Sequence, residues 1–304
     1  MTEKGEPWFW GFGWFITILG VSGNAFVIYL IATNHHLQKK ANWFILSLAT
    51  ADLFVGLSYI PPFYACRKME YCIQEVWLVT RQTIQWLFLY SSVTNLFVMT
   101  VDRYVAITLP VKHKRVMTPG CIACLVFTAW AIPIITRVLI FTPIYLNNKE
   151  TALKYLVPVF LFTFELVPCV VLPCFTFHMV YVARKSRRAR RRRVEDSSTE
   201  LKPPSIRVHF PRDDGHKNHN VNVVVSMVGL FIICYSVDVH TSVCDIFGFS
   251  SISVPLWYLR HILLVTNSAL NPLAYSLFKR DVKRAILALG CAPLNHQVSP
   301  STAG

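Results

Sequence analysis

Long apolar stretches alternate along the chain with short polar connections. Seven stretches stand out, at about 8–33, 43–65, 78–107, 119–141, 156–183, 219–247 and 253–277. Each has the length, roughly 20 residues, that an α-helix needs to cross about 30 Å of hydrocarbon. No backbone amide can stay unpaired in lipid, so a spanning segment is a helix or a barrel strand. These stretches are too long and too uniformly apolar for tilted strands. The pattern therefore predicts an all-α membrane protein, a seven-transmembrane helix bundle over 8–277. Beyond it, Phe278, Val282, Ala285, Ile286 and Leu289 recur at helical spacing with cations on the opposite face. That predicts a short amphipathic interfacial helix over 278–289 rather than an eighth span.

Composition agrees with this reading. Of 304 residues, 54% are hydrophobic and only 15% charged, too few charges to cover a soluble body of this size. The net charge of +14 raises nucleic acid as a partner, and the placement of the cations argues against it. Of 30 Lys and Arg, 22 fall in the connections after the first, third, fifth and seventh spans, Arg103 included. The others are Lys4, Arg67, Lys68, Arg81, Arg137, Lys149, Lys154 and Arg260. By the positive-inside rule, residues 1–7 are extracellular and the tail 290–304 is cytoplasmic. The segment before the first span carries Glu3, Lys4 and Glu6 and lacks a basic start, so that span reads as retained rather than as a signal peptide.

The one long connection, about 184–218, is cytoplasmic. It opens with a basic run through Arg193, turns acidic and polar, and then reaches Pro203 and Pro204. Disorder is expected in its middle, with the basic start at the inner membrane surface, where anionic lipid attracts it. A role in partner docking or phosphorylation control is the other reading. Of nine cysteines, Cys66, Cys72 and Cys244 lie near the oxidising outer face, where a disulfide is expected to persist. Cys291 follows a basic amphipathic segment at the inner face, the setting for palmitoylation; an unmodified thiol is the alternative. No Asn-x-Ser/Thr sequon occurs.

Polar groups inside spans are expensive and draw attention to function. Asn24, Asp52, Ser92, Asn267, Ser268 and Asn271 fall near mid-membrane in four different spans. A carboxylate among hydroxyls and amides suits a hard cation such as sodium, and a protonated Asp52 hydrogen-bonded within the bundle is the plainer reading. The third span ends in Asp102-Arg103-Tyr104. There Arg103 either snorkels to headgroups or pairs with Asp102 and swings toward a cytosolic partner. The seventh ends in Asn271-Pro272-Leu273-Ala274-Tyr275, where proline removes one backbone bond and loosens the helix.

These motifs occur in order, one per span: Gly23-Asn24, Leu48-Ala49-Thr50-Ala51-Asp52, Asp102-Arg103-Tyr104, Trp130, Pro173 with Tyr181, and Asn271-Pro272-Leu273-Ala274-Tyr275. Over essentially the whole chain the set resembles the rhodopsin-like family of G-protein-coupled receptors. The resemblance implies a plasma-membrane receptor without enzymatic activity, a heterotrimeric G protein as transducer, and arrestin and receptor kinases as further partners. No cofactor is implied beyond a sodium ion as allosteric modulator, held by Asp52, Ser92, Asn267, Ser268 and Asn271. It also implies that Asp102 restrains Arg103, with Tyr104 beside it, and that Tyr181, Pro272 and Tyr275 take part in switching. Val93, Pro173 and Phe231 would form the transmission core.

Three departures stand out. Leu78 occupies the place of the usual outer disulfide cysteine, so a Cys66–Cys72 pair is the expected substitute. Tyr235 and Val237 stand where the sixth span usually has Trp and Pro. Lys217 stands where many members place an acid that restrains Arg103, which implies raised basal signalling.

Gln85 lies 18 residues before Arg103, five turns up the same face and about 27 Å toward the outside. It marks the depth of a ligand pocket, for which Leu89, Glu165, Tyr235, Asp238, Trp257 and His261 are the further candidates. Two acids beside aromatic rings suit a cationic or polar small molecule; pairing of those acids with His240, His261 or Arg137 is the alternative. Gln85 stands where amine receptors of the family carry Asp, which argues against a monoamine in its usual pose. A peptide ligand is a second possibility within the family. A transporter or channel would show repeats or broken helix pairs, which are not evident. No hydrolase motif is present.

Overall fold

The computed structural model describes residues 7–68, 75–145, 155–199, 214–249 and 253–290, and every regular element among them is helical. The first span is α1 (Pro7–Thr33). The second is broken at Tyr59 into α2 (Lys40–Ser58) and α3 (Ile60–Lys68). The third, α4 (Glu75–Thr108), leads into the short α5 (Pro110–Val116), and the fourth is α6 (Pro119–Tyr145). The fifth runs through α7 (Val157–Leu161), a π turn (Phe162–Leu166) and α8 (Val167–Thr199). The sixth is α9 (Asp214–Phe247) and the seventh α10 (Val254–Phe278), followed by α11 (Arg280–Gly290).

Six of these rods are long and apolar enough to cross a membrane. The seventh, α10, is 25 residues long and carries Arg260, His261, Asn267, Ser268 and Asn271, most of its polar groups turned inward. On the outside of the bundle Phe12, Phe15, Phe127, Phe177 and Ile233 are exposed, the surface expected against lipid rather than water.

Close approach between rods is set by small residues. A methyl group on Gly20 would stand 3.1 Å from the Ala269 side chain of α10, and one on Gly56 would stand 2.9 Å from Val21. Glycine therefore lets α1 lie directly against both neighbours. The central α4 packs along α2, α6, α8 and α9.

Two irregularities position the site. At Tyr59, Pro61 and Pro62 lack the N–H groups that would continue the helix, and the chain turns. Gln85 also ties the third span to this break, its side-chain amide donating to the Tyr59 carbonyl at 3.2 Å. In the fifth span the π turn brings Phe164 and Glu165 both to the interior, at 3% and 2% exposure.

The helices also outrun the expected spans. The connection expected over 184–218 is largely helical, since α8 continues to Thr199 and α9 starts at Asp214. Extending an existing helix needs no new nucleus, and Arg, Lys, Ala and Glu are good helix formers. Pro203 and Pro204 lie outside the described residues, as does the Lys217 side chain. The amphipathic helix forms as expected. Val282 and Ala285 are buried, and Lys283, Arg284 and Leu289 are exposed.

Candidate functional site

The site is a column of polar side chains between a cavity at one end of the bundle and the Asp102-Arg103 end of α4. At its middle Asp52, 1% exposed, accepts from Ser92 Oγ at 2.6 Å and from Asn271 Nδ2 at 2.7 Å. Asn24 donates to the carbonyls of Gly20 (2.9 Å) and Ser268 (3.2 Å), tying α1 to α10. Asn267 and Ser268 are both 2% exposed. The amide oxygens of Asn24, Asn267 and Asn271 are buried without hydrogen-bond partners. All five residues predicted for sodium are thus buried on α2, α4 and α10, and three of them are joined by hydrogen bonds.

A second polar link was not anticipated. Trp130 Nε1 donates to Ser47 Oγ at 3.0 Å, and Ser47 donates to Asn95 Oδ1 at 2.6 Å. It fastens α2, α4 and α6 together one layer nearer Arg103. Only Trp130 of these three is singled out by the sequence motifs.

Below, Phe231 is fully buried with its ring 4.4 Å from that of Tyr235, and Val93 is 1% exposed. Pro173 lies within α8, half-buried. Tyr275 is fully buried, its hydroxyl unpaired, and Tyr181 is exposed at 57%. The two tyrosines do not meet in this conformation.

At the end of α4 away from the cavity Arg103 Nε lies 3.3 Å from Asp102 Oδ2, and an Arg103 guanidinium nitrogen donates to the Ala41 carbonyl at 3.1 Å. Asp102 Oδ1 is also 2.8 Å from His113 Nε2 on α5, a partner the sequence did not announce. Tyr104 stacks on Phe175 at 4.7 Å. Lys279 is buried and donates to Asn42 Oδ1, which pins the start of α11 to α2. Burial, reinforced by the nearby Arg103 charge, holds the Lys279 ammonium far below the usual lysine range, at about 7.

The ligand candidates divide into two layers. Gln85, Trp257 and His261 line an open cavity of ≈ 160 Å³, together with Arg81, Trp86 and Arg260. That is below the usual range for drug-sized ligands and suits only a small molecule. His261 Nδ1 donates to the Trp257 carbonyl at 2.8 Å, and its ring packs 3.9 Å from that of Trp257. Leu89, Glu165, Tyr235 and Asp238 lie beneath, each at most 2% exposed and outside the cavity lining.

The buried acids are not matched by His240, His261 or Arg137. Asp238 Oδ1 takes Arg260 Nε at 2.5 Å, and Arg260 also donates to Ser242 Oγ at 3.2 Å. Glu165 lies beside Asp238. Arg137 instead sits over the Tyr90 ring at 4.5 Å. The signal that could have found Arg260 was its own cost: a cation in a span, away from the cytosolic end, requires an acid at its level. Cys66 is disulfide-bonded. Its expected partner Cys72 and the lipidation candidate Cys291 lie outside the described residues.

A buried carboxylate tied to an Asn-Pro turn, above an arginine held by its neighbouring aspartate, is joined by a match over residues 23–275 to the family model of the seven-transmembrane receptors of the rhodopsin family. The chain belongs to that family. It is therefore a multi-pass membrane receptor and not an enzyme. It is 24% identical to the 5-hydroxytryptamine receptor 4 of Homo sapiens, over 95% of this chain and 81% of that one. With the histamine H2 receptor of Cavia porcellus the identity is 28%, over 94% and 80%. With the adenosine receptor A2a of Homo sapiens it is 26%, over 88% and 68%. At 24–28% identity, most aligned positions of the receptor differ from these relatives.

Proposed function

We propose that the receptor binds a small extracellular ligand in the outer cavity and activates a heterotrimeric G protein at its cytosolic end, with sodium at the Asp52 cluster as a modulator. The N-terminus is outside and the C-terminus in the cytosol. The observation that carries this reading is the column itself. Buried, hydrogen-bonded polar groups run from beneath an open cavity to Arg103, which is restrained by Asp102 and by the Ala41 carbonyl. The relatives named for 5-hydroxytryptamine, histamine and adenosine support a small ligand over a peptide.

Each part has a role. Asp52, Ser92, Asn267, Ser268 and Asn271 supply oxygen ligands to sodium, and the unpaired amide oxygens of Asn267 and Asn271 fit a cation that completes them. Val93, Pro173 and Phe231 pass movement of the cavity floor to α9. Tyr275 and Tyr181 turn toward the axis as Arg103 leaves Asp102 for the G protein. Arrestin and receptor kinases engage the same face afterwards, and Cys291 carries a lipid beyond α11.

The test is nucleotide exchange on purified G proteins by the full-length receptor in lipid nanodiscs. Wild type accelerates exchange on at least one G-protein class, Arg103→Ala loses most of that acceleration, and Asp102→Asn increases it. Exchange indifferent to both substitutions would overturn the proposal.

A further inference from the structure

The outer cavity has an unusual charge. Among the described residues its lining holds two arginines, Arg81 and Arg260, and no Asp or Glu. Arg260 is already spoken for, since Asp238 takes its Nε at 2.5 Å from a position that is fully buried and off the cavity wall. Arg81 is not. Among the described residues it makes no ion pair, its guanidinium lies 4.8 Å over the Phe63 ring, and its Nε is buried without a hydrogen-bond partner.

Around this cation the lining is aromatic and neutral. Trp86 and Trp257 provide flat apolar walls, and Gln85 spends its side-chain amide on the Tyr59 carbonyl. His261 uses Nδ1 as donor to a carbonyl, so in its neutral form Nε2 is an acceptor and adds no positive charge. The acids expected to greet a cationic ligand, Glu165 and Asp238, lie below the floor and face Arg260 rather than the opening.

We infer that the cavity takes a small planar organic anion, its carboxylate or phosphate on Arg81 and its ring between Trp86 and Trp257. An unpaired, partly desolvated guanidinium gains most from such an anion, because its fixed fork of donors matches two oxygens at once. An ammonium ligand in the same place would meet a like charge, with no carboxylate among the described lining residues to offset it. The inference rests on the receptor reading only in taking the cavity as the ligand site. It deepens that reading by reversing the charge that the intramembrane acids suggested.

The experiment measures apparent thermal stability of the purified full-length receptor with matched probes, without any G protein. Indole-3-acetate and phenyl phosphate represent the two anionic headgroups, and tryptamine is the cationic counterpart of the first. At millimolar concentration at least one acid raises the midpoint by several degrees and tryptamine does not. Arg81→Gln weakens the acid by about tenfold or more, the loss expected when a charge-assisted pair is removed, and Arg81→Lys recovers part of it. Tryptamine stabilising as strongly as the acids overturns the inference, as does no response to either acid, or an unchanged acid affinity in Arg81→Gln. Failure here with Arg103-dependent exchange intact removes only the anion. Loss of that exchange in the separate assay removes the receptor mechanism instead.

Discussion

At Asp238 and Arg260 two charges have been taken out of water and must answer one another. Side-chain exposures of 0% and 12% leave little solvent to screen them, and the 2.5 Å contact with a second bond to Ser242 is the geometry that offsets desolvation. Removing one partner is therefore far worse than removing both. Arg260→Met is expected to destabilise the receptor by about 3–5 kcal/mol, and the double change with Asp238→Leu to recover most of it. A double-mutant cycle on the thermal midpoint of purified protein measures this, and additive losses would count against a true pair. Lys279 is a buried lysine at the Arg103 end of the bundle. Because burial lowers its pKa to about 7, the unfolded chain binds a proton that the folded one releases between about 7 and the ordinary lysine value of 10.5. Stability from this group is therefore full above the unfolded value and lost as pH falls through about 7. The midpoint of wild type should rise from pH 7 to 9, and that of Lys279→Gln, which keeps a donor for Asn42, should rise less. Residue types alone revealed neither arrangement. Asp238 was recognisable as a costly group, but its partner sits 22 residues away on the next span, and Lys279 looked like one more surface cation of an amphipathic helix.

The elements were the most legible level, because lipid allows so few solutions. Seven apolar stretches had to be helices, and the described residues form seven helical rods. What hydropathy could not show is how the rods depart from straightness. Pro61 and Pro62 follow the break in the second span, yet nothing local ties that break to Gln85 on the third, which donates to the Tyr59 carbonyl. The π turn at Phe162–Leu166 has no residue signature, since the same amino acids fit a regular helix; tertiary packing of Phe164 against Tyr90, rings 4.4 Å apart and nearly parallel, accompanies it. Helix ends were misjudged for a related reason. Apolarity stops at the membrane surface, whereas hydrogen bonding of a basic helix continues into water through Thr199. The close contacts of α1 make a prediction at this scale. Gly20→Leu would drive a branched side chain into Ala269, already 3.1 Å from where a methyl would sit. Overpacking of that kind costs about 1–3 kcal/mol, so the variant should show a lower thermal midpoint and less folded protein in the membrane, with Gly11→Leu, which faces open space, as the neutral control.

For the molecule as a whole, the decisive feature is that one buried cluster borders both halves. Asp52 is bonded to Ser92 on α4 and to Asn271 on α10, the helix that carries Trp257 and His261 into the cavity and Tyr275 toward the cytosol. A cation settled there favours the arrangement that holds those three helices together, which is the one with Arg103 on Asp102. Coupling between two binding events is reciprocal, so sodium that disfavours the G-protein complex must itself bind less well to the complexed receptor. Basal nucleotide exchange should therefore fall as sodium replaces potassium or N-methylglucamine at constant ionic strength, by about fivefold or more if the coupling is of the usual 1–3 kcal/mol. Asp52→Asn keeps a side chain of the same shape and bonding reach while removing the charge. Its exchange rate should be flat in sodium, and a sodium response equal to that of wild type would rule out the Asp52 cluster as the ion's seat. The constant ionic strength matters to the logic, because it separates an ion held by oxygen ligands from general screening of the basic cytosolic face. A response that followed total salt rather than sodium would assign the effect to that face and leave the Asp52 cluster as a purely structural bond between α2, α4 and α10.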